Sequence, residues 1–195
     1  MNIVRLGTAY GGWAFDLDSI NDGDVILDCG VGNDVSFAEE LLKIKNVKFV
    51  FVDPGEDNLN YARSRIPNAT YIQAAVTKET SEVDLFLSLT EGSHSLIPQM
   101  SIVGNKSIKV SGVKLSDLLQ QYNPSIVKLD IEGSEYDVFQ DLFLYPAKQI
   151  AIEFHHRFIP HLTEKDTNYA IFLLEQSGYS QIHNDGLDGI TFFRN

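Results

Sequence analysis

The chain is 195 residues long and carries 27 Asp and Glu against 15 Lys and Arg, a formal charge of −12. That acidity opposes the counterion release that drives binding to polyanions, and no Lys/Arg run offsets it, so nucleic acid is not an expected partner. With 44% hydrophobic and 11% aromatic residues, the length fits one domain over residues 1–195 with one core. Cys29, the single cysteine, cannot form an internal disulfide, and no apolar run approaches a signal peptide or the roughly 18 residues of a membrane span. A cytoplasmic protein without a membrane partner is expected.

From residue 25 to 154, short apolar runs alternate with amphipathic stretches, the pattern of a mostly parallel sheet between helices. Strands are predicted at 25–27, 47–52, 70–72, 125–131 and 149–154, several of them apolar on both parities as buried parallel strands require. Helices are predicted at 36–44, 56–65, 134–144 and 164–176, each with an apolar stripe, and Asp34, Ser116, Ser134 and Thr163 stand at N-cap positions. An inserted strand pair interrupts the alternation at 83–88 and 107–110. The end of the chain reads as an antiparallel edge hairpin, 179–182 and 189–193, turning at Asn184-Asp185-Gly186.

The first confident strand runs into Asp28-Cys29-Gly30-Val31-Gly32, where two glycines let a bound group approach the backbone. A dinucleotide fingerprint would place a third small residue at Val35, and Asp28 would repel a pyrophosphate, so NAD and FAD are disfavoured. S-adenosylmethionine carries an ammonium and a sulfonium and no phosphate. Asp28 suits that charge. Asp53 closes the next strand, where its carboxylate is placed to accept two ribose hydroxyls. The competing interpretation is a tight turn at the glycines with Asp53 as a helix cap.

Lys128, Asp130 and Glu132 share a parity at the tip of a buried strand, and Glu153 and His155 share one at the tip of the next. His155 or Glu132 is therefore the candidate base for an in-line methyl transfer to a hydroxyl. Asp130, Glu132 and His155 also offer oxygen and imidazole ligands for magnesium or manganese. No metal is assigned from sequence, because the spacing matches no dedicated motif and Lys128 competes for the carboxylates. Glu135 reads as an acid at a helix N-terminus, and His161 and His183 receive no role.

These segments resemble the FkbM family of S-adenosylmethionine-dependent methyltransferases. Lys128-Leu129-Asp130-Ile131-Glu132-Gly133-Ser134-Glu135 is similar to its K-x-D-x-E-G-x-E segment. Gly11-Gly12-Trp13, Asp28-Cys29-Gly30-Val31-Gly32, Ala74-Ala75-Val76, Gly92-Ser93-His94-Ser95 and Ile152-Glu153-Phe154-His155 match in order. The resemblance implies a class I methyltransferase fold, a Rossmann-like α/β three-layer sandwich with a seven-stranded core. It also implies O-methylation of sugars, polyketides or related metabolites. By carry-over, Asp28, Gly30, Gly32 and Asp53 would contact the cofactor, Ala74 and Ala75 would lie near adenine, and Asp130 by the methionyl end. Val31, Asn33-Asp34 and the Asp53-Pro54 pair depart from the family pattern, which motivates the alternative of a non-catalytic binding protein that kept the fold.

The acceptor pocket is assigned to residues 5–20 and 89–106, with Trp13 and His94 as acceptor-binding candidates beside Tyr10 and Gln99. A small-molecule or carbohydrate acceptor follows. With no separate substrate domain, a neighbouring subunit of a homo-oligomer is the other source of specificity.

Overall fold

The computed structural model describes residues 1–89, 93–186 and 189–195. The chain opens on a hairpin, β1 (Ile3–Leu6) and β2 (Trp13–Asp16), which pair antiparallel. Then β3 (Val25–Cys29), α1 (Ser36–Ile44), β4 (Lys48–Asp53), α2 (Glu56–Arg65) and β5 (Thr70–Gln73) alternate as the apolar runs require. After β6 (Ala75–Thr77) come β7 (Glu82–Ser88), β8 (Val103–Lys114), α3 (Leu115–Tyr122) and β9 (Ile126–Leu129). The last part holds α4 (Glu135–Val138), α5 (Asp141–Leu144), β10 (Gln149–Glu153), α6 (Glu164–Gln176), β11 (Tyr179–Asn184) and β12 (Gly189–Arg194).

The central sheet has seven strands in the order β11-β12-β10-β9-β3-β4-β5. Strands β10, β9, β3, β4 and β5 run parallel, and β12 joins β10 antiparallel. This is the Rossmann-like α/β architecture expected from the alternation. Parity sorts the core into two layers: Leu27, Val50, Val127 and Ile150 face α3, α5 and α6, while Ile26, Phe49, Phe51 and Ile126 face α1, α2 and the N-terminal hairpin. Phe15, Phe37, Phe49, Phe51 and Tyr71 form a chain of ring contacts through the second layer.

Several elements differ from the sequence expectation. The inserted pair is a three-stranded sheet, β6-β8-β7, because the twelve-residue β8 pairs antiparallel with β7 and parallel with β6. The helix expected over 134–144 is two short helices, since i→i+3 bonds from Leu142 to Phe139 and from Phe143 to Gln140 tighten the winding. Ser116 lies inside the first turn of α3, with its N–H donating to Asp141. Thr163 does cap α6, through a reciprocal capping box with Asp166. The β1–β2 hairpin has no counterpart among the predicted elements.

Candidate active site

At the end of β3 the chain turns through Gly30 and Gly32, both in left-handed conformations (φ +81° and +59°). Gly30 N–H donates to Val52 O, and Asp130 N–H donates to Cys29 O, so the turn is wedged between the tips of β4 and β9. A Cβ at Gly30 would collide with the Asp130 carbonyl, which makes glycine obligatory there. At Gly32 a Cβ would meet nothing within 4 Å, and this side of the turn borders the main cavity.

Asp53, buried at the end of β4, organises this turn. Its Oδ2 accepts the N–H groups of Val31 and Gly32 at 2.9 and 3.1 Å, and its Oδ1 accepts Gly55 N–H and the Asn58 amide at 2.7 and 3.1 Å. A carboxylate offers about four acceptor sites, and four donors already converge on this one. A ribose hydroxyl must therefore share or displace a donor. Burial works against the charge and raises the Asp53 pKa despite these bonds.

Asp28, expected from the sequence to contact the cofactor, is not among the residues that line the cavity, though its partner Lys128 is. In the parallel register Asp28 stands directly opposite Lys128. Lys128 Nζ lies 3.1 Å from Asp28 Oδ1, donates to Gly30 O, and sits 5.6 Å from the Trp13 ring centre. The side chains are only 7% and 6% exposed, so Asp28 serves as the buried counter-charge of Lys128. Burial raises the Asp28 pKa, with Lys128 pulling the other way.

The tips of β9 and β10 bring Asp130, Glu132, Glu153 and His155 together. His155 Nε2 lies 3.4 Å from Glu132, 3.8 Å from Asp130 and 3.9 Å from Glu153. Its Nδ1 meets Glu135 Oε1 at 3.0 Å. Glu135 is fully buried and folds back to accept Ile131 N–H and Gly133 N–H. It opens α4, as the helix-end acid read from sequence should, and is in addition a turn organiser and a histidine partner. Glu132 itself has φ +53°, a strained position for a side-chain-bearing residue, beside Gly133 at +105°.

Electrostatics follow from that crowding. For His155, burial opposes the charged ring, but the Glu135 contact and the Asp130 and Glu132 charges outweigh it and push the pKa up to about 10. Burial, reinforced by Asp130, raises Glu132 to about 6, and the same two causes raise Glu153 to about 7. The acidic neighbours therefore favour a proton on His155, while burial favours one on Glu132 and Glu153.

A cavity of about 420 Å³ joins the two constellations, a size typical of small-ligand sites. Gly30, Gly32, Asp53, Ala74 and Ala75 line it together with Asp130, Glu132, Glu153 and His155. Trp13 and His94 also border it: Trp13 is largely buried in β2, and His94 Nδ1 accepts the Ser88 N–H. Gly92 of the resemblance lies outside the described residues. Tyr10 sits on a loop fastened by Thr8 and Asp34, whose side chains are 2.6 Å apart. His183, given no role from sequence, borders the cavity because the C-terminal hairpin folds toward it.

Comparisons with known proteins agree with this geometry. The Methyltransferase FkbM domain model matches residues 19–180. No curated protein matches the sequence. Among solved structures, precorrin-6Y C5,15-methyltransferase from Geobacter metallireducens superposes with a TM-score of 0.51 at 13% identity, covering 90% of this chain and 82% of that one. A fibrillarin/Nop5p complex gives a TM-score of 0.52 at 9% identity, covering 90% and 75%. Identities this low speak to the fold alone, and no described helix is long and apolar enough to cross a membrane. The match across most of the length, on a Rossmann-like sheet with its cavity at the strand tips, places the chain in the FkbM family of S-adenosylmethionine-dependent methyltransferases.

Proposed function

We propose that this methyltransferase methylates a hydroxyl oxygen of a small polyhydroxylated acceptor, of the sugar or polyketide kind. The observation that carries the proposal is the single cavity running from the glycine turn to the carboxylates around His155. Its first end fits the cofactor: the open flank of Gly32 leaves room beside the turn that a side chain would fill. S-adenosylmethionine supplies the methyl group and leaves as S-adenosylhomocysteine. Gly30 and Gly32 would border its methionyl end with Asp130, Asp53 would meet the ribose, and Ala74 and Ala75 would flank the adenine.

At the other end, Glu153 is the proton acceptor. Its side chain is 40% exposed, against 20% for Glu132 and 27% for Asp130, so it is the carboxylate most open to an incoming hydroxyl. Glu132 and His155 orient that hydroxyl, and Trp13 and His94 shape the space behind it. Removal of the proton as the oxygen attacks leaves the ether product. The −12 charge makes nucleic acid a poor acceptor for this site.

Calorimetry with S-adenosylmethionine tests the first half, and radiolabel transfer to a panel of sugars and polyols tests the second. Absence of binding at near-millimolar cofactor would overturn the cofactor site. Turnover by Glu153→Gln equal to wild type would overturn the proton-transfer assignment.

A further inference from the structure

We propose that Asp130, Glu132 and His155 hold a divalent cation of the magnesium or manganese type at the acceptor end of the cavity. One ligand atom from each lies within 4.8 Å of the other two. Ligands placed about 2.1 Å from an octahedral cation stand about 3.0 Å apart when adjacent, so small side-chain adjustments close the shell. The set of two carboxylates and one imidazole suits these cations, which would take the place of the Nε2 proton among the carboxylates and release it to solvent.

His155 supplies the independent observation. Its side chain is 4% exposed, and Glu135 fixes its Nδ1 at 3.0 Å, so Nε2 alone is directed at the acidic groups. Those groups stand 3.4 to 3.9 Å from Nε2, beyond the roughly 2.7–2.9 Å of a charge-assisted hydrogen bond. A carboxylate on the far nitrogen is how ligating histidines are commonly oriented. The objection raised by Lys128 also falls. Its ammonium is 3.1 Å from Asp28 and donates to Gly30 O, while it approaches only Oδ2 of Asp130, at 3.5 Å. Oδ1 of Asp130 is the atom that faces His155.

Glu132 is aimed by its backbone. Its carbonyl accepts the Ser95 hydroxyl at 2.6 Å, and its left-handed φ turns the side chain back toward Asp130 and His155. A cation held by three protein ligands keeps open positions for two neighbouring hydroxyls, which makes a vicinal diol the favoured acceptor. This use of the cation rests on the hydroxyl acceptor proposed above. The bound hydroxyl passes its proton to Glu153, the oxygen bonds to the methyl carbon, and the carbon–sulfur bond breaks with its electron pair going to sulfur.

Manganese titrated into the cofactor-free protein, followed by the free-ion electron paramagnetic resonance signal, tests the site apart from any methyl transfer. We expect one saturable ion per chain, displaced competitively by magnesium. Asp130→Asn and Glu132→Gln should each weaken binding at least about tenfold, and Glu135→Gln, which removes no ligand atom, about tenfold through ring orientation. Thermal melts establish folding, and if Glu135→Gln fails to fold the two partly exposed ligand variants decide the matter. No saturable binding up to about 1 mM, or binding unchanged in both ligand variants, overturns the proposal. Failure of the cofactor calorimetry leaves this result standing.

Discussion

The two ends of the central sheet handle charge in opposite ways. At the amino end, Asp24 accepts Asn21 N–H at 2.9 Å and the Ser125 hydroxyl at 2.8 Å, and Lys148 approaches it at 3.3 Å. One acid there ties the entrances of β3, β9 and β10 together. At the carboxyl end, Asp130, Glu132, Glu135 and Glu153 crowd around the single imidazole of His155. Matched charge makes the first end a clasp, and unmatched charge leaves the second with capacity for a ligand.

Lys128 is the cation of the carboxyl end, between Asp28 and Asp130, and it should show the largest effect. Lys128→Ala strands Asp28 as a buried uncompensated charge, and chemical denaturation should register a loss of about 3–5 kcal/mol. An Asp28→Leu, Lys128→Met pair should recover most of it; no recovery would mean that the Gly30 contact, not the pair, is what matters. Next comes Asp53→Ala, which orphans up to four donors and should cost on the order of 2–3 kcal/mol in the same assay. It should also weaken cofactor binding by more than about tenfold in calorimetry.

Glu132→Gly sharpens the contrast, since it removes both a strained φ and a crowded carboxylate. It should stabilise the fold by about 1 kcal/mol while abolishing methyl transfer, and a stability loss instead would mean that Glu132 is held by favourable contacts. The smallest change is expected at the matched end. Asp24→Asn should cost about 1 kcal/mol at pH 7. Burial acts to raise the Asp24 pKa, but the bonds from Asn21, Ser125 and Lys148 outweigh it and lower the pKa below its ordinary value. The wild-type advantage is thus full above the unfolded carboxylate pKa of about 3.9 and fades as pH falls through the folded value. Urea midpoints at pH 7 and pH 3 measure it; a gap that persists at pH 3 would assign it to the neutral hydrogen bonds.

The sheet was legible because its strands are apolar on both parities and its helices carry stripes, signals confined to short windows. The glycine turn and the acidic strand tip were legible for the same reason. What could not be read were pairings made by the folded backbone rather than by a short window. Asp28 looked free beside its glycines, and only the register of β3 against β9 sets Lys128 opposite it. Asp53 read as a ribose ligand, but the convergence of the Val31, Gly32, Gly55 and Asn58 donors on it was not legible. Glu135 resembled any helix-end acid, because its return to Ile131 and Gly133 depends on positive φ at two consecutive residues. Each strand of the β1–β2 hairpin is only four residues long, too short to announce itself.

Gly30 touches the Asp130 carbonyl so closely that no side chain fits between them. The loop beside the cofactor and the loop beside the acceptor therefore meet backbone to backbone at this point. A ligand that displaced either loop would press on the other, and two affinities coupled in that way would be linked in both directions. Diffusion of an acceptor into the cavity would thus be sensed by the cofactor before any bond is broken.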